Sequence, residues 1–448
     1  MHKRTLILLL SALFTLLLCA QSATAQPDRK LLDSLTADAY DQVLQWRRHF
    51  HQYPELSNRE FETAKTVAAA LRNMGLEVET GIAHTGVVAL LEGGKPGPVV
   101  ALRADMDALP VTEQVELSFA STVTSEYQGK QVGVMHACGH DTHMAMLLGA
   151  ARVLTAVRDE LPGSVLFIFQ PAEEGAPLGE QGGAELMLKE GLFARYQPQA
   201  VFGMHIGLNM PGGQLAVRPG PALAAVDYLQ INVSGRQTHG ARPWGGIDPI
   251  VVGSQIVIGL QTIASRQLNL TKVPYIITIG KFDAGVRNNI IPDMAEMHGT
   301  IRSFDAQMQD DMHARIRTTA EHIAASAGAT AEVKIIKQYP ATVNDPELTA
   351  QMLPTLQRIS GEQPVVTPDL VTGAEDFAFF ARQVPGMFIY LGAAAPGEDA
   401  SELPSNHSPL FAVYEPNMQV GVRAFVQLAA DYLQQTAKNP NTIDNDSH

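Results

Sequence analysis

Apolar residues recur at three- and four-residue spacing over residues 38–53 and again over 58–74, so both stretches are predicted helices, the second stopped by Gly75. Short β-rich runs follow at 76–80, 86–91 and 99–103. A helix-like apolar segment covers 141–157, and 164–169 is apolar without interruption, as expected of a strand buried on both faces of a parallel sheet. Helix spacing returns at 183–190, and a strand over 200–204 ends at His205. Strands thus alternate with helices, and polar residues gather where strands stop: Asp105-Met106-Asp107, Gln170-Pro171-Ala172-Glu173-Glu174-Gly175 and His205. The pattern predicts an α/β fold with its reactive groups along one edge of the sheet, because the carboxyl ends of the strands in such sheets open on one crevice.

The pattern changes at Pro219-Gly220-Pro221. A strand at 227–233, a helix at 248–266, strands at 275–279 and 295–303, a helix at 305–327 and a strand at 331–337 give the order βαββαβ, that of a ferredoxin-like unit. A unit of about a hundred residues can fold by itself. Residues 220–337 are therefore predicted to be an inserted domain, with 26–219 and 338–448 forming the first. Helices at 347–359 and 376–383, a strand at 387–391 and a helix at 417–436 complete that first domain, and the polar last dozen residues are predicted to fray.

Residues 1–25 stand apart. His2-Lys3-Arg4, an apolar run over 6–18 too short to span a membrane as a mature helix, and Ala23-Thr24-Ala25 together form a signal-peptide pattern, with the mature chain beginning at Gln26 in the periplasm or outside the cell. Lipid attachment at Cys19 is the second reading; Leu16-Leu17-Leu18 lacks the small residue such a site wants. Without Lys3 and Arg4, 30 basic residues face 46 acidic ones, a formal charge of −16, which argues against nucleic acid or an anionic membrane surface as partner. No stretch of the mature chain is apolar enough to span a membrane.

Removal of the leader leaves one cysteine, Cys138, in His136-Ala137-Cys138-Gly139-His140-Asp141-Thr142-His143. A lone thiol makes no internal disulfide, and metal ligation would both use and protect it. One soft sulfur and several imidazoles at a helix entry are the donors of a transition-metal site, with Zn²⁺ the first candidate. The adjacent carboxylates of Glu173-Glu174 would repel one another without a cation, which makes them candidates for one ligand and one general base. Taken singly, His205 reads as a core histidine, His407 as a turn histidine in Ser405-Asn406-His407-Ser408-Pro409, and Arg302 as half of a surface ion pair; Arg302 could also pair with a substrate carboxylate. His239 and Asn289 carry donors suited to an oxyanion, although Asn before an apolar-Pro run is by default a turn former.

His136 to His143, Gln170 to Gly175, Gly203-Met204-His205, His239-Gly240-Ala241, Asn289 to Pro292, Thr372-Gly373-Ala374-Glu375-Asp376-Phe377 and His407-Ser408-Pro409 jointly resemble the M20 metallopeptidase family, in its amidohydrolase branch of hippurate hydrolases and auxin-conjugate hydrolases. The resemblance implies two divalent ions per chain, Zn or Mn, with Co or Ni as further options, held by Cys138, His140, Glu174, His205 and His407, with Glu173 as general base. It implies a small N-acyl amino acid or short peptide as substrate and is compatible with a homodimer formed through the inserted domain. His239 and Asn289 match positions that bind the substrate carbonyl or oxyanion in dimeric relatives. Arg103 stands where other branches have a metal-binding histidine, so Asp105 is expected to orient ligands from behind rather than to ligate. Two local departures are a longer loop at 176–181 and Trp244 after Pro243. The implied reaction is hydrolysis of an N-acyl amino acid; the alternatives are an M20-type carboxypeptidase or dipeptidase and, from another class, a non-catalytic metal- or ligand-binding protein.

Overall fold

The computed structural model describes residues 27–438 except Leu208; the predicted leader, with Cys19, and the polar C-terminal end lie outside the described residues. The strands are β1 (Glu77–Ile82), β2 (Gly86–Glu92), β3 (Lys95–Asp105), β4 (Thr124–Tyr127), β5 (Lys130–Gly133), β6 (Pro162–Gln170), β7 (Ala200–Gly207), β8 (Leu215–Ala216), β9 (Gly220–Leu223), β10 (Ala225–Ser234), β11 (Thr238–His239), β12 (Ile276–Ala284), β13 (Ile290–Ile291), β14 (Met294–Ser303), β15 (Thr330–Tyr339), β16 (Thr342–Asn344) and β17 (Gly386–Gly392). The helices are α1 (Arg29–Gln52), α2 (Phe61–Asn73), α3 (His140–Ala156), α4 (Gly183–Lys189), α5 (Leu192–Tyr196), α6 (Pro249–Thr262), α7 (Ala306–Ser326), α8 (Pro346–Ser360), α9 (Phe377–Ala381) and α10 (Met418–Lys438).

A seven-stranded sheet runs in the order β1-β2-β6-β3-β7-β17-β8. Its central strands β6, β3, β7 and β17 are parallel, while β1, β2 and β8 are antiparallel to their neighbours. The uninterrupted apolar runs are explained by burial of both faces: β6 turns Val165, Phe167 and Phe169 into one core and Leu166 and Ile168 into the other. The first core lies under α1, α3, α8 and α10, and the second under α4 and α9. The result is a mixed α/β sandwich whose parallel strands all end on the same side.

A second, four-stranded antiparallel sheet has the order β12-β14-β10-β15. Along β10 burial alternates residue by residue, and Leu229, Ile231 and Val233 pack against Val252, Ile256 and Leu260 of α6 and Met312 and Ile316 of α7. Helices on one face only leave the other face to look outward, and the strand order is ferredoxin-like. The chain crosses between the sheets twice, at β9 and β16, which pair with each other. The domain boundary expected at 219/220 falls at the start of this ribbon.

Several short elements, among them β8, β9, β11, β13, β16 and α5, escaped the sequence pattern, and two further differences have clear physical reasons. Helix α1 starts at Arg29, well before residue 38: Leu32, Thr36, Ala39 and Val43 form one buried stripe, and polar Thr36 interrupts it in the sequence but not in space, its hydroxyl donating to the Leu32 carbonyl at 2.8 Å. The β4–β5 hairpin turns at Gln128-Gly129, both at positive φ, and its strands are too exposed to show alternation. No helix among the described residues is long and apolar enough to cross a membrane.

Gly139 caps α3 at φ 94°, and a Cβ there would lie 2.4 Å from Ile206 Cγ2 of β7. Left-handed strain and this close approach act together, so Gly139→Ala should lower the free energy of unfolding by about 2–4 kcal/mol. Denaturant unfolding of the two proteins measures it; a loss below 0.5 kcal/mol, roughly the noise of surface substitutions, would show that the helix entry yields without cost.

Candidate metal centre

Four segments converge at the carboxyl ends of the parallel strands. Cys138 and His140 arrive with the entry of α3, Glu173 and Glu174 on the loop after β6, His205 from the end of β7, and His407 on the loop before α10. The ligand atoms of Cys138, His140 and His205 lie within 4.8 Å of one another, and so do those of Cys138, Glu174 and His407. The five residues thus form two triads joined at the thiol. His140, Glu173 and Glu174 make a further such group.

Hydrogen bonds settle which histidine atoms face the cluster. His140 Nδ1 lies 2.8 Å from the Asp107 carbonyl, which only accepts, so the proton is on Nδ1; Nε2 is buried without any hydrogen-bond partner. His205 Nδ1 likewise donates to the Ile206 carbonyl, and its Nε2 stands 3.3 Å from Cys138 Sγ. His407 Nε2 is 3.0 Å from Glu174 Oε1, an oxygen that is buried without hydrogen-bond geometry to any partner. His140 Nε2 and Glu174 Oε1, buried without hydrogen-bond partners and set beside Cys138, His205 and His407, are the arrangement that a cation completes. The mixture of one thiolate, imidazoles and carboxylate fits a divalent transition ion.

His143 does not join them. Its Nε2 accepts from the Ile206 amide at 2.8 Å and its Nδ1 donates to Asp105 Oδ1 at 2.6 Å, so neither nitrogen is free. Asp105 therefore supports His143, while the direct partner of His140 is the Asp107 backbone. His136 is buried with both ring nitrogens unpartnered, and burial pushes its pKa down to about 3, which keeps it neutral.

Sequence reasoning gave no role to Asp107, although it was visible at a strand end. Its carboxylate accepts from the backbone N–H groups of both Glu173 and Glu174, each at 3.0 Å, and from Ser57 at 2.7 Å. Tyr339, the last residue of β15, donates to the Glu173 carbonyl at 2.9 Å. Asn406 donates to the Cys138 and Ile206 carbonyls and so seats the His407 loop. Arg103 is wholly buried and meets Asp105 at 2.7 Å, Glu375 at 2.9 Å, Asp376 at 3.0 Å and the Gln170 amide oxygen at 2.8 Å.

Burial pushes the Glu173 carboxyl well above the usual range, and the negative charges of Glu375, Glu174 and Asp376 push it further. Burial works against a charged His140, but the Asp105 and Asp107 carboxylates outweigh it and raise its pKa. The two shifts share one cause, an excess of negative charge in this buried space, which favours any cation that enters.

The cluster opens on a cavity of about 780 Å³ whose opposite wall comes from the second sheet, with Arg302 and Tyr339. His239 and Asn289 are not brought to it: they lie on the exposed β11–β13 ribbon, where His239 Nδ1 accepts from the Ala241 amide.

Behind α3, Asp141 Oδ2 is 3.1 Å from Arg47 Nε and 2.8 Å from His51 Nδ1, and His51 Nε2 reaches Glu113 at 3.0 Å. Burial opposes ionisation of Asp141, but Arg47 and His51 hold its carboxyl far below the ordinary value. A depressed folded pKa stabilises fully above the unfolded value of about 4 and is lost as pH falls towards the native one. Arg47→Met should therefore cost about 3 kcal/mol at pH 7, and the difference should shrink below about pH 4. Urea titrations from pH 3 to 7 test this; a penalty independent of pH would mean that Asp141 is not the linked group.

Residues 101–431 match the model of peptidase family M20/M25/M40. The chain is 43% identical over 394 residues to thermostable carboxypeptidase 1 of Saccharolobus solfataricus, covering 88% of this chain and 95% of that one. It is 36% identical over 419 residues to the IAA-amino acid hydrolase ILR1-like 2 of Arabidopsis thaliana, covering 92% and 90%. Among solved structures, the Bacillus subtilis YXEP protein, described as a dinuclear metal-binding peptidase of the M20 family, superimposes with a TM-score of 0.74 at 34% identity over 89% of this chain and 99% of that one. With its α/β sandwich, its second sheet and its clustered donors, the chain belongs to peptidase family M20/M25/M40 and is a hydrolase of amide bonds.

Proposed function

We propose that this protein is an exported, two-metal amidohydrolase that cleaves N-acyl amino acids to a carboxylic acid and a free amino acid, with Glu173 as its general base. Cys138, His140, Glu174, His205 and His407 would hold the ions. Zn or Mn suits these donors first, with Co or Ni as further options, and such a pair would polarise the scissile carbonyl and make water a stronger acid.

The observation that carries the reading is the setting of Glu173. Its carboxylate Oε2 lies 3.9 Å from His140 Nε2, on the cavity that also receives Arg302. Its backbone is clamped by Asp107 at the amide and by Tyr339 at the carbonyl, so the side chain starts from a fixed point. Burial and neighbouring carboxylates favour its protonated form, the form the base would take after removing a proton from the attacking water and before passing that proton to the departing amine. Arg302, across the cavity, is placed to receive the carboxylate of the amino-acid part. His239 and Asn289 would serve the oxyanion only in a homodimer, where a second copy brings the exposed ribbon to the site.

The name of the Saccharolobus relative favours a second reading, a carboxypeptidase; matched acyl-amino acids and dipeptides separate the two. Glu173→Gln should lower kcat by about 10²–10⁴-fold and leave metal content near that of the parent, whereas Cys138→Ala should lower the metal content itself. Metal analysis and kinetics on the same samples decide; full activity in Glu173→Gln would remove the general base from the mechanism. Export is read from N-terminal analysis of protein from the cell envelope and medium: a mature chain starting at Gln26 is expected, and a lipid-bearing Cys19 would replace it with the anchored form.

A further inference from the structure

Two cavities meet at the Glu174 loop. The first is the one that holds the ligand cluster. The second, about 670 Å³, lies on the other side of residues 174–176, which line both. We propose that this second cavity is the acyl subsite and that it takes a neutral, apolar acyl group longer than acetyl; the proposal rests on the amidohydrolase reading above.

A substrate whose amide sits at the ligand cluster has two arms, and they leave in different directions. Arg302, in the first cavity, makes no ion pair among the described residues and is the natural seat of the carboxylate arm. The second cavity offers no such seat. Its arginine, Arg59, is already engaged by Glu180, with Nη2 to Oε1 at 2.6 Å and Nη1 to Oε2 at 3.1 Å. Apart from Glu174, which lines both cavities and is a proposed ligand, the remaining charged side chain of its wall is Glu126, which would repel a carboxylate. Most of the wall is apolar, with Leu56, Leu109, Pro110, Tyr127, Pro177 and Leu178.

The rim is built, not incidental. Leu178 is fully exposed to water and Tyr127 is 39% exposed, both at the mouth of this cavity. Gly175 and Gly179, each at positive φ, bracket Leu178, and Glu180 is pinned by Arg59 and Asn58, so the lengthened 176–181 loop holds its leucine out over the opening. An apolar ligand would cover Leu178, which nothing among the described residues covers, and the exposed part of Tyr127. The β4–β5 hairpin supplies the facing wall through Tyr127 and Gln128.

The test compares acetyl, butanoyl and hexanoyl derivatives of one amino acid on the metal-loaded protein. The value of kcat/KM should rise about fourfold per added methylene. Leu178→Asp should cut the hexanoyl-to-acetyl ratio at least tenfold, while Leu270→Asp, an exposed leucine on the second sheet's side, should leave the ratio as it was. An unchanged ratio in Leu178→Asp overturns the proposal, as does a change that follows the amino-acid side chain instead of the acyl length. A 4-methylpentanoyl substrate should outrun its leucyl counterpart, which differs by one α-amino group; the reverse order overturns the neutral occupant. If neither series is hydrolysed, the amidohydrolase reading has failed, and the cavity is judged separately by calorimetry. Hexanamide binding more tightly than acetamide, with the difference lost in Leu178→Asp, supports the cavity; equal affinities overturn it.

Discussion

The centre of this molecule is governed by a shortage of positive charge in a place closed to water. Asp105, Glu173, Glu375 and Asp376 are all buried within reach of one guanidinium, Arg103, and Asp107 is buried against the Glu173 backbone. Buried charges without partners cost several kcal/mol each, so every one of these groups must be answered. Asp107 is answered by two backbone amides and a serine, and Asp105 by Arg103 and His143. Burial pushes Asp376 up to about 8 in spite of Arg103, which marks the point where the protein's own cations run out. On the proposed reading, divalent ions at the two triads that share Cys138 would supply the missing positive charge.

The scaffold makes that concentration of charge tolerable. Parallel strands buried on both faces deliver their ends to one place, and loops leaving those ends can be short and tightly bonded. The second sheet contributes from above: Tyr339, at the last position of β15, reaches down to the Glu173 carbonyl, so the chain returns to the first sheet through a residue that already touches the reactive loop. Arg302 and Tyr339 both pair with Val226 of β10 and lie on the same outward face, so the surface that lines the cavity also steadies Glu173.

Much of this was legible in the amino-acid order, and the reasons are local. The apolar run of β6, the alternation of β10 and the eight residues around Cys138 each carry their message within a few positions. What stayed hidden depends on partners far along the chain. Asp107 acquires its role from amides 66 and 67 residues away, Arg103 from carboxylates 272 and 273 away, and Asn406 from a carbonyl 268 away. The role of His143, which was not among the expected ligands, was open; the Ile206 amide, brought by β7, and Asp105 use up both of its nitrogens. The β4–β5 hairpin was hidden for another reason, since exposed strands need no apolar alternation.

Arg103 carries an implication for how such a site can change over time. The guanidinium is tied to three carboxylates and an amide at once, so a histidine in its place would take the buried arginine cation from Asp105, Glu375 and Asp376 together. Any path between this arrangement and one with a histidine ligand must pass through unstable single-step neighbours or alter several residues in concert. Arg103 and the three carboxylates thus stand or fall as one unit, and residue 103 is set by their charge balance more than by any contact with a substrate.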